Sequence, residues 1–104
     1  MNITDIMTAG GVEYTETCFT PGNIPPYPYA VYLDDEKAIG CDNINNAKRH
    51  SYTVEYYSET RERFTGLESY LDLHGVKYTK GEQQWDSDLE CFMTPYYFDL
   101  IERR

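Results

Sequence analysis

Basic residues are missing from the first third of this chain. Up to Glu36 there is no Lys or Arg, although Asp5, Glu13, Glu16, Asp34, Asp35 and Glu36 all fall there, and the whole chain carries a net charge of -9. That balance argues against a general nucleic-acid binder, whose affinity comes from Lys and Arg releasing phosphate counterions. It leaves either an acidic solvated face or a surface that repels or imitates a polyanion. Cysteine is scarce as well: Cys18, Cys41 and Cys91 are odd in number and lack CxxC spacing, so neither a disulfide framework nor a zinc knuckle is expected, and they read as reduced small hydrophobes. His50 and His74 have no HxxxH or HxH partner and read as structural histidines. No long apolar run occurs and mean hydropathy is -0.67, which excludes a membrane-spanning helix. The start, "MNITDIMTAGG", lacks a basic segment followed by an apolar one, so a soluble protein of the cytoplasm is expected.

What the chain has in quantity is tyrosine, 11 among 104 residues, a length that suits one domain, 1–104. Ile3, Ile6 and Met7 stand at helical spacing before Gly10-Gly11, which predicts a short helix from about Asn2 to Ala9. "VEYTETCF" reads as a short edge strand, and the prolines of "TPGNIPPYP" forbid ladder pairing there. "PYAVYLDDE" is a strand with Tyr29, Val31 and Leu33 on one side and Ala30 and Tyr32 on the other. "KAIGCDNINNAK" reads as a long loop. In "RHSYTVEYYSET", His50, Tyr52, Val54 and Tyr56 share one face, and Ser51, Thr53, Glu55 and Tyr57 the other. Ser58 or Thr60 caps a helix from about Glu59 to His74, with Phe64, Leu67 and Leu71 on its inner side, Gly66 weakening it and Gly75 closing it. A hairpin follows, Val76 to Gln83 and Leu89 to Ile101 about a turn near Trp85–Asp88, with a break, bulge or edge position at Pro95. The expected fold is α+β: a mainly antiparallel sheet of four or five strands with one major and one short helix on one face. Its core would be Ile3, Ile6, Val31, Leu33, Val54, Phe64, Leu67, Leu71, Leu89, Phe92 and Phe98, which leaves the tyrosines for subunit contact.

Reaction chemistry finds no foothold. No phosphate loop, GxSxG elbow, HExxH or zinc-deaminase pattern occurs, and no catalytic, cofactor-binding or metal residue is assigned. Asp34, Asp35 and Glu36 with Asp42 could coordinate a divalent cation, but neighbours on an extended segment point to opposite faces and no Gly-centred calcium loop is present. Unperturbed tyrosines, with pKa near 10, are poor bases at neutral pH.

The segments "IPPYPYAVYLDD", "DNINNAKRHSYTVEYYSET", "LHGVKYTKGEQQW" and "DLECFMTPYYFDLIE" together resemble the small tail-completion, or tail-terminator, proteins of the head-tail connectors of long-tailed phages and Gram-positive prophages. The likeness spans Pro25 to Glu102. It is clearest from Pro28-Tyr29-Ala30-Val31-Tyr32 through Asp42-Asn43 into Tyr52-Thr53-Val54-Glu55. The resemblance implies a non-enzymatic α+β structural protein of the virion, at the head-proximal end of the tail and in the host cytoplasm during assembly. Copies would form a ring, commonly a hexamer, between the major tail protein and a head-connector protein, with DNA passing through but not specifically bound. Under it, Asp34, Asp35, Glu36, Asp42 and Asn43 would lie in loops facing assembly partners or the lumen, where acids would repel DNA. Two other classes stand beside it: an acidic DNA-mimic inhibitor of a nucleic-acid-binding protein, and a metal-dependent hydrolase built on Asp34, Asp35 and Asp42.

Overall fold

The computed structural model describes residues 2–39 and 47–103. In chain order these form α1 (Ile3–Gly10), β1 (Glu13–Glu16), β2 (Tyr29–Ile39), β3 (Ala47–Ser58), α2 (Thr65–Leu73), β4 (Tyr78–Lys80), β5 (Gln84–Asp86) and β6 (Cys91–Arg103). The strands make one six-stranded sheet in the order β1-β2-β3-β6-β4, with β5 also on β6. The architecture is α+β, as expected from sequence. The strand count is higher, and one pairing, β1 with β2, is parallel.

The alternation in β3 decides where the core sits. Tyr52, Val54 and Tyr56 are buried, and with Tyr96 and Phe98 of β6, Ile6 and Met7 of α1, and Phe64, Leu67 and Leu71 they form one cluster between sheet and helices. Burying a side chain of this size stabilises by about 1.5–3 kcal/mol relative to leaving it exposed. Tyrosines therefore belong to the core in place of several expected aliphatics: Leu33 and Leu89 are exposed, and Ile3 and Phe92 only half-buried. Ring contacts explain the exchange, because Tyr56 stacks on Phe64 with centroids 4.4 Å apart and Tyr96 meets Phe64 edge-on at 6.4 Å.

Asn2 caps α1 with a reciprocal capping box, its Oδ1 accepting from Asp5 N at 3.0 Å while Asp5 Oδ2 accepts from Asn2 N at 3.2 Å. The other helix starts later than Ser58 or Thr60 would place it, with Phe64 at its N-cap and no side-chain cap. Ser58 is instead buried and donates to Thr60 O (2.8 Å), and Phe64 N donates to the Tyr96 hydroxyl (3.1 Å), so residues 59–64 carry the chain from the sheet's end to its covered face. Gly66, a liability in an isolated helix, is required by the crossing: a Cβ there would lie 2.7 Å from Gly10 O of α1.

The loop expected over Lys37–Lys48 is strand at both its ends, since β2 runs to Ile39 and β3 starts at Ala47. Its centre, with Cys41, Asp42 and Asn43, lies outside the described residues. The hairpin turn sits at residues 87–90, two places later than expected, where Asp86 Oδ1 accepts from Asp88 N (3.0 Å) and Leu89 N (3.1 Å). Pro95 neither breaks nor bulges β6. It faces Glu55 of β3, and its carbonyl accepts from Gly81 N (2.8 Å) in the gap between β4 and β5. A residue's N and C=O leave a strand on the same side, so the missing N–H points to the outer edge of β6, just past the last paired residue of β4, and away from the β3 ladder.

Candidate functional site

Beyond the helices the sheet continues as an arm of three strands. β1 stops opposite Tyr32 and β4 opposite Phe98, while β2, β3 and β6 run on together through the rows Asp34–Tyr52–Phe98, Asp35–Ser51–Asp99, Glu36–His50–Leu100, Lys37–Arg49–Ile101, Ala38–Lys48–Glu102 and Ile39–Ala47–Arg103. Six rows span roughly 17 Å. They help draw the molecule out to 50 × 30 × 22 Å. Beyond the first row, where Phe98 still pairs with Tyr78 of β4, no strand among the described residues pairs with the outer edge of β2 or β6 along the arm.

The face opposite the helices is clothed at one end only. There Phe19 meets Tyr29 edge-on, Tyr27 stacks on Tyr29, and the Tyr27 hydroxyl donates to Leu89 O (2.8 Å), so the proline-rich segment lies over Tyr29 and buried Cys91. Cys18 is exposed. Further along this face, Leu33 (40% exposed), Tyr97 (46%) and Ile101 (54%) stand uncovered.

On the helix side of the arm, the two-residue period puts Asp34, Glu36, His50, Lys48 and Glu102 together. His50 Nδ1 lies 3.0 Å from both Asp34 oxygens and Nε2 lies 2.9 Å from Glu102 Oε2. The ring stacks on Tyr52, centroids 5.6 Å apart and planes 7° from parallel. The Glu102 and Asp34 carboxylates, accepting from the two nitrogens, raise the His50 pKa above its ordinary value against partial desolvation. Lys48 Nζ reaches Glu36 Oε1 at 2.9 Å.

The acids singled out in the sequence are thus in mid-strand rather than loops. Asp34 and Glu36 share one face and Asp35 takes the other, while Asp42 and Asn43 lie outside the described residues. Sequence reasoning missed His50 and Glu102, the latter 52 positions away. The parity of Asp34 and Glu36 was a usable signal, but the register that brings His50 opposite Glu36 was not.

A second polar group is structural. Glu68 on the first turn of α2 accepts from Arg63 Nη2 (2.8 Å), from the Tyr96 hydroxyl and from Tyr78 (3.4 Å), joining the helix to β6 and β4. Desolvation opposes its ionisation, yet the Arg63 and Tyr96 hydrogen bonds outweigh it and hold the carboxyl below its ordinary value. Burial pushes the Tyr52 and Tyr56 hydroxyls up to about 12, so neither is a base near neutrality. No buried side-chain N or O among the described residues lacks a hydrogen-bond partner. No helix among them is long and apolar enough to cross a membrane. Compared with known families and curated proteins, the chain matches no family model and no curated sequence.

Proposed function

We propose that the protein is a non-enzymatic assembly subunit of the phage tail-completion type, which closes into a ring on the end of a tail tube and joins it to the head connector. The observation that carries this reading is the arm: two different strand edges, on β2 and β6, are unpaired among the described residues either side of a face on which Leu33, Tyr97 and Ile101 are exposed. Two unlike edges on one subunit suit a head-to-tail contact, which closes into a ring when the rotation allows. Self-association, the major tail protein and a head-connector protein are the partners this requires. DNA would pass through without being gripped.

The arm's acids do not by themselves make an anionic lining, since Asp34 faces His50 and Glu36 faces Lys48. For the same reason β2 supplies no row of unpaired carboxylates along one face, as a DNA mimic requires.

The subunit alone is expected to be monomeric or weakly associating at micromolar concentration and to form its ring on the tube end. Deleting the gene should leave filled heads and unjoined tails of irregular or excessive length, visible by electron microscopy. Tails of normal length, joined to heads, in the deletion strain would refute the terminator reading. Tight 1:1 binding to a DNA-binding enzyme would favour the mimic.

A further inference from the structure

His50 is held in a way that an ordinary surface ion pair does not need. The ring stacks on Tyr52, and Glu102 on another strand takes Nε2, so that Nδ1 is turned to the carboxylate of Asp34, with a carboxylate oxygen of Glu36 close by. One ligand atom from each of Asp34, Glu36 and His50 lies within 4.8 Å of the other two. The Asp34 carboxylate is presented broadside, both oxygens at 3.0 Å from Nδ1, as a chelating carboxylate would be. The Glu102 contact is the outer-shell half of a carboxylate–histidine–metal arrangement, which fixes the tautomer and strengthens the ligating nitrogen.

We propose that Asp34, Glu36 and His50 form a divalent-metal site for a borderline ion of the Zn²⁺ type, oriented by Glu102. One imidazole nitrogen with two carboxylates suits Zn²⁺ better than Mg²⁺ or Ca²⁺, which prefer all-oxygen shells. Tetrahedral zinc keeps its donors about 3.3 Å apart, from bond lengths near 2.0–2.2 Å, so the cluster must tighten by about an ångström or more. Glu36 is exposed, and its ion pair with Lys48 is among the contacts that must open for that movement. On binding, His50 gives up its Nδ1 proton to solvent, keeps the Nε2 proton on Glu102, and water fills the remaining position. The ion would tie β2 to β3 directly and β6 through Glu102, locking the arm. This inference does not depend on the ring reading, since it concerns the isolated subunit.

The test is calorimetric titration of tag-free, chelator-treated protein with Zn²⁺, alongside NMR of the imidazole nitrogens. One ion per chain at micromolar affinity is expected, with Nδ1 of His50 shifted as the coordinating atom. His50→Gln and Asp34→Asn should abolish binding, and Glu102→Gln should weaken it by about 10- to 100-fold. Lys48→Met, which removes the competing ammonium while leaving every ligand, should tighten it and guards against a variant that merely misfolds. The proposal is overturned by the absence of binding, by binding that survives Asp34→Asn in a folded protein, or by binding lost in Cys18→Ser or His74→Asn instead.

Discussion

The two halves of β3 live in different solvents. From Tyr52 to Ser58 every second side chain is buried, whereas Lys48 and His50, earlier on the same face, meet carboxylates, with the His50 ring also stacked on Tyr52 where the two halves join. The same division runs through β6, between Tyr96, wholly buried, and Glu102, exposed. A single pair of strands thus carries both the core and the arm. The covered half supplies the free energy of folding. The arm inherits its shape through the ladder, and past Leu100, which still packs against the core, its side chains are largely free of packing.

Substitutions in both regions probe that contrast, beginning with the largest expected effect. Val54→Asp should cost about 3–5 kcal/mol, because it buries an unpaired charge at a position with no exposure, whereas Thr53→Asp, one residue away on the other face, should cost under about 1 kcal/mol. Equal losses in thermal melts would mean that the helices do not divide the sheet as described. Gly66→Ala should destabilise by about 1–3 kcal/mol despite alanine's better helix propensity, since its Cβ meets the α1 backbone; a raised melting temperature would show that the helix crossing yields easily.

Glu68→Gln should cost about 1–2 kcal/mol at pH 7 by weakening a charged hydrogen-bond hub. Its folded pKa is depressed, so the unfolded state binds more protons between the two pKa values. The contribution is therefore complete above the ordinary carboxylate value of 4.5 and is lost as pH falls through the folded value. Urea midpoints of the wild type and Glu68→Gln should converge toward pH 3, and a gap unchanged between pH 7 and pH 3 would refute this account.

Asp35→Lys should alter stability by less than about 0.5 kcal/mol, since it faces solvent on the arm's bare side, yet impair assembly in a tail-joining assay. The triple replacement of Asp34, Asp35 and Glu36 by Lys should still leave a folded subunit, with most of its cost arising at Asp34 beside His50. Hydrogen exchange should separate the regions without any mutation, with amides of Tyr52–Tyr57 outlasting those of Asp99–Glu102.

Local patterns in the sequence reported local structure well. The alternation of Tyr52, Val54 and Tyr56, the helix closed by Gly75 and the short first helix ended at Gly10-Gly11 need only neighbouring residues to be read. What required the rest of the chain was misjudged. Asn and Gly near Cys41 suggest a loop that reaches from Lys37 to Lys48, whereas pairing carries β2 on to Ile39 and starts β3 at Ala47, so the loop's two ends were misplaced. The start of α2 depends on the Tyr96 hydroxyl, 32 positions away. Tyrosine's place in the core follows from ring-on-ring contacts across strands, which composition does not reveal. Asp34 and Glu36 stood out as acids, but their meeting with His50 and Glu102 depends on two strand registers.

Pro95 carries a consequence for the protein's life before it is fully folded. Until β4 and β5 dock, the outer edge of β6 is a 13-residue template onto which a second nascent chain could zip. The ring of Pro95 withholds a donor near the middle of that edge, so a misdirected ladder beginning at either end stalls there. Such a residue would act as a gatekeeper against aggregation, and because its missing N–H points to the outer edge between β4 and β5, the ladder with β3 is left intact.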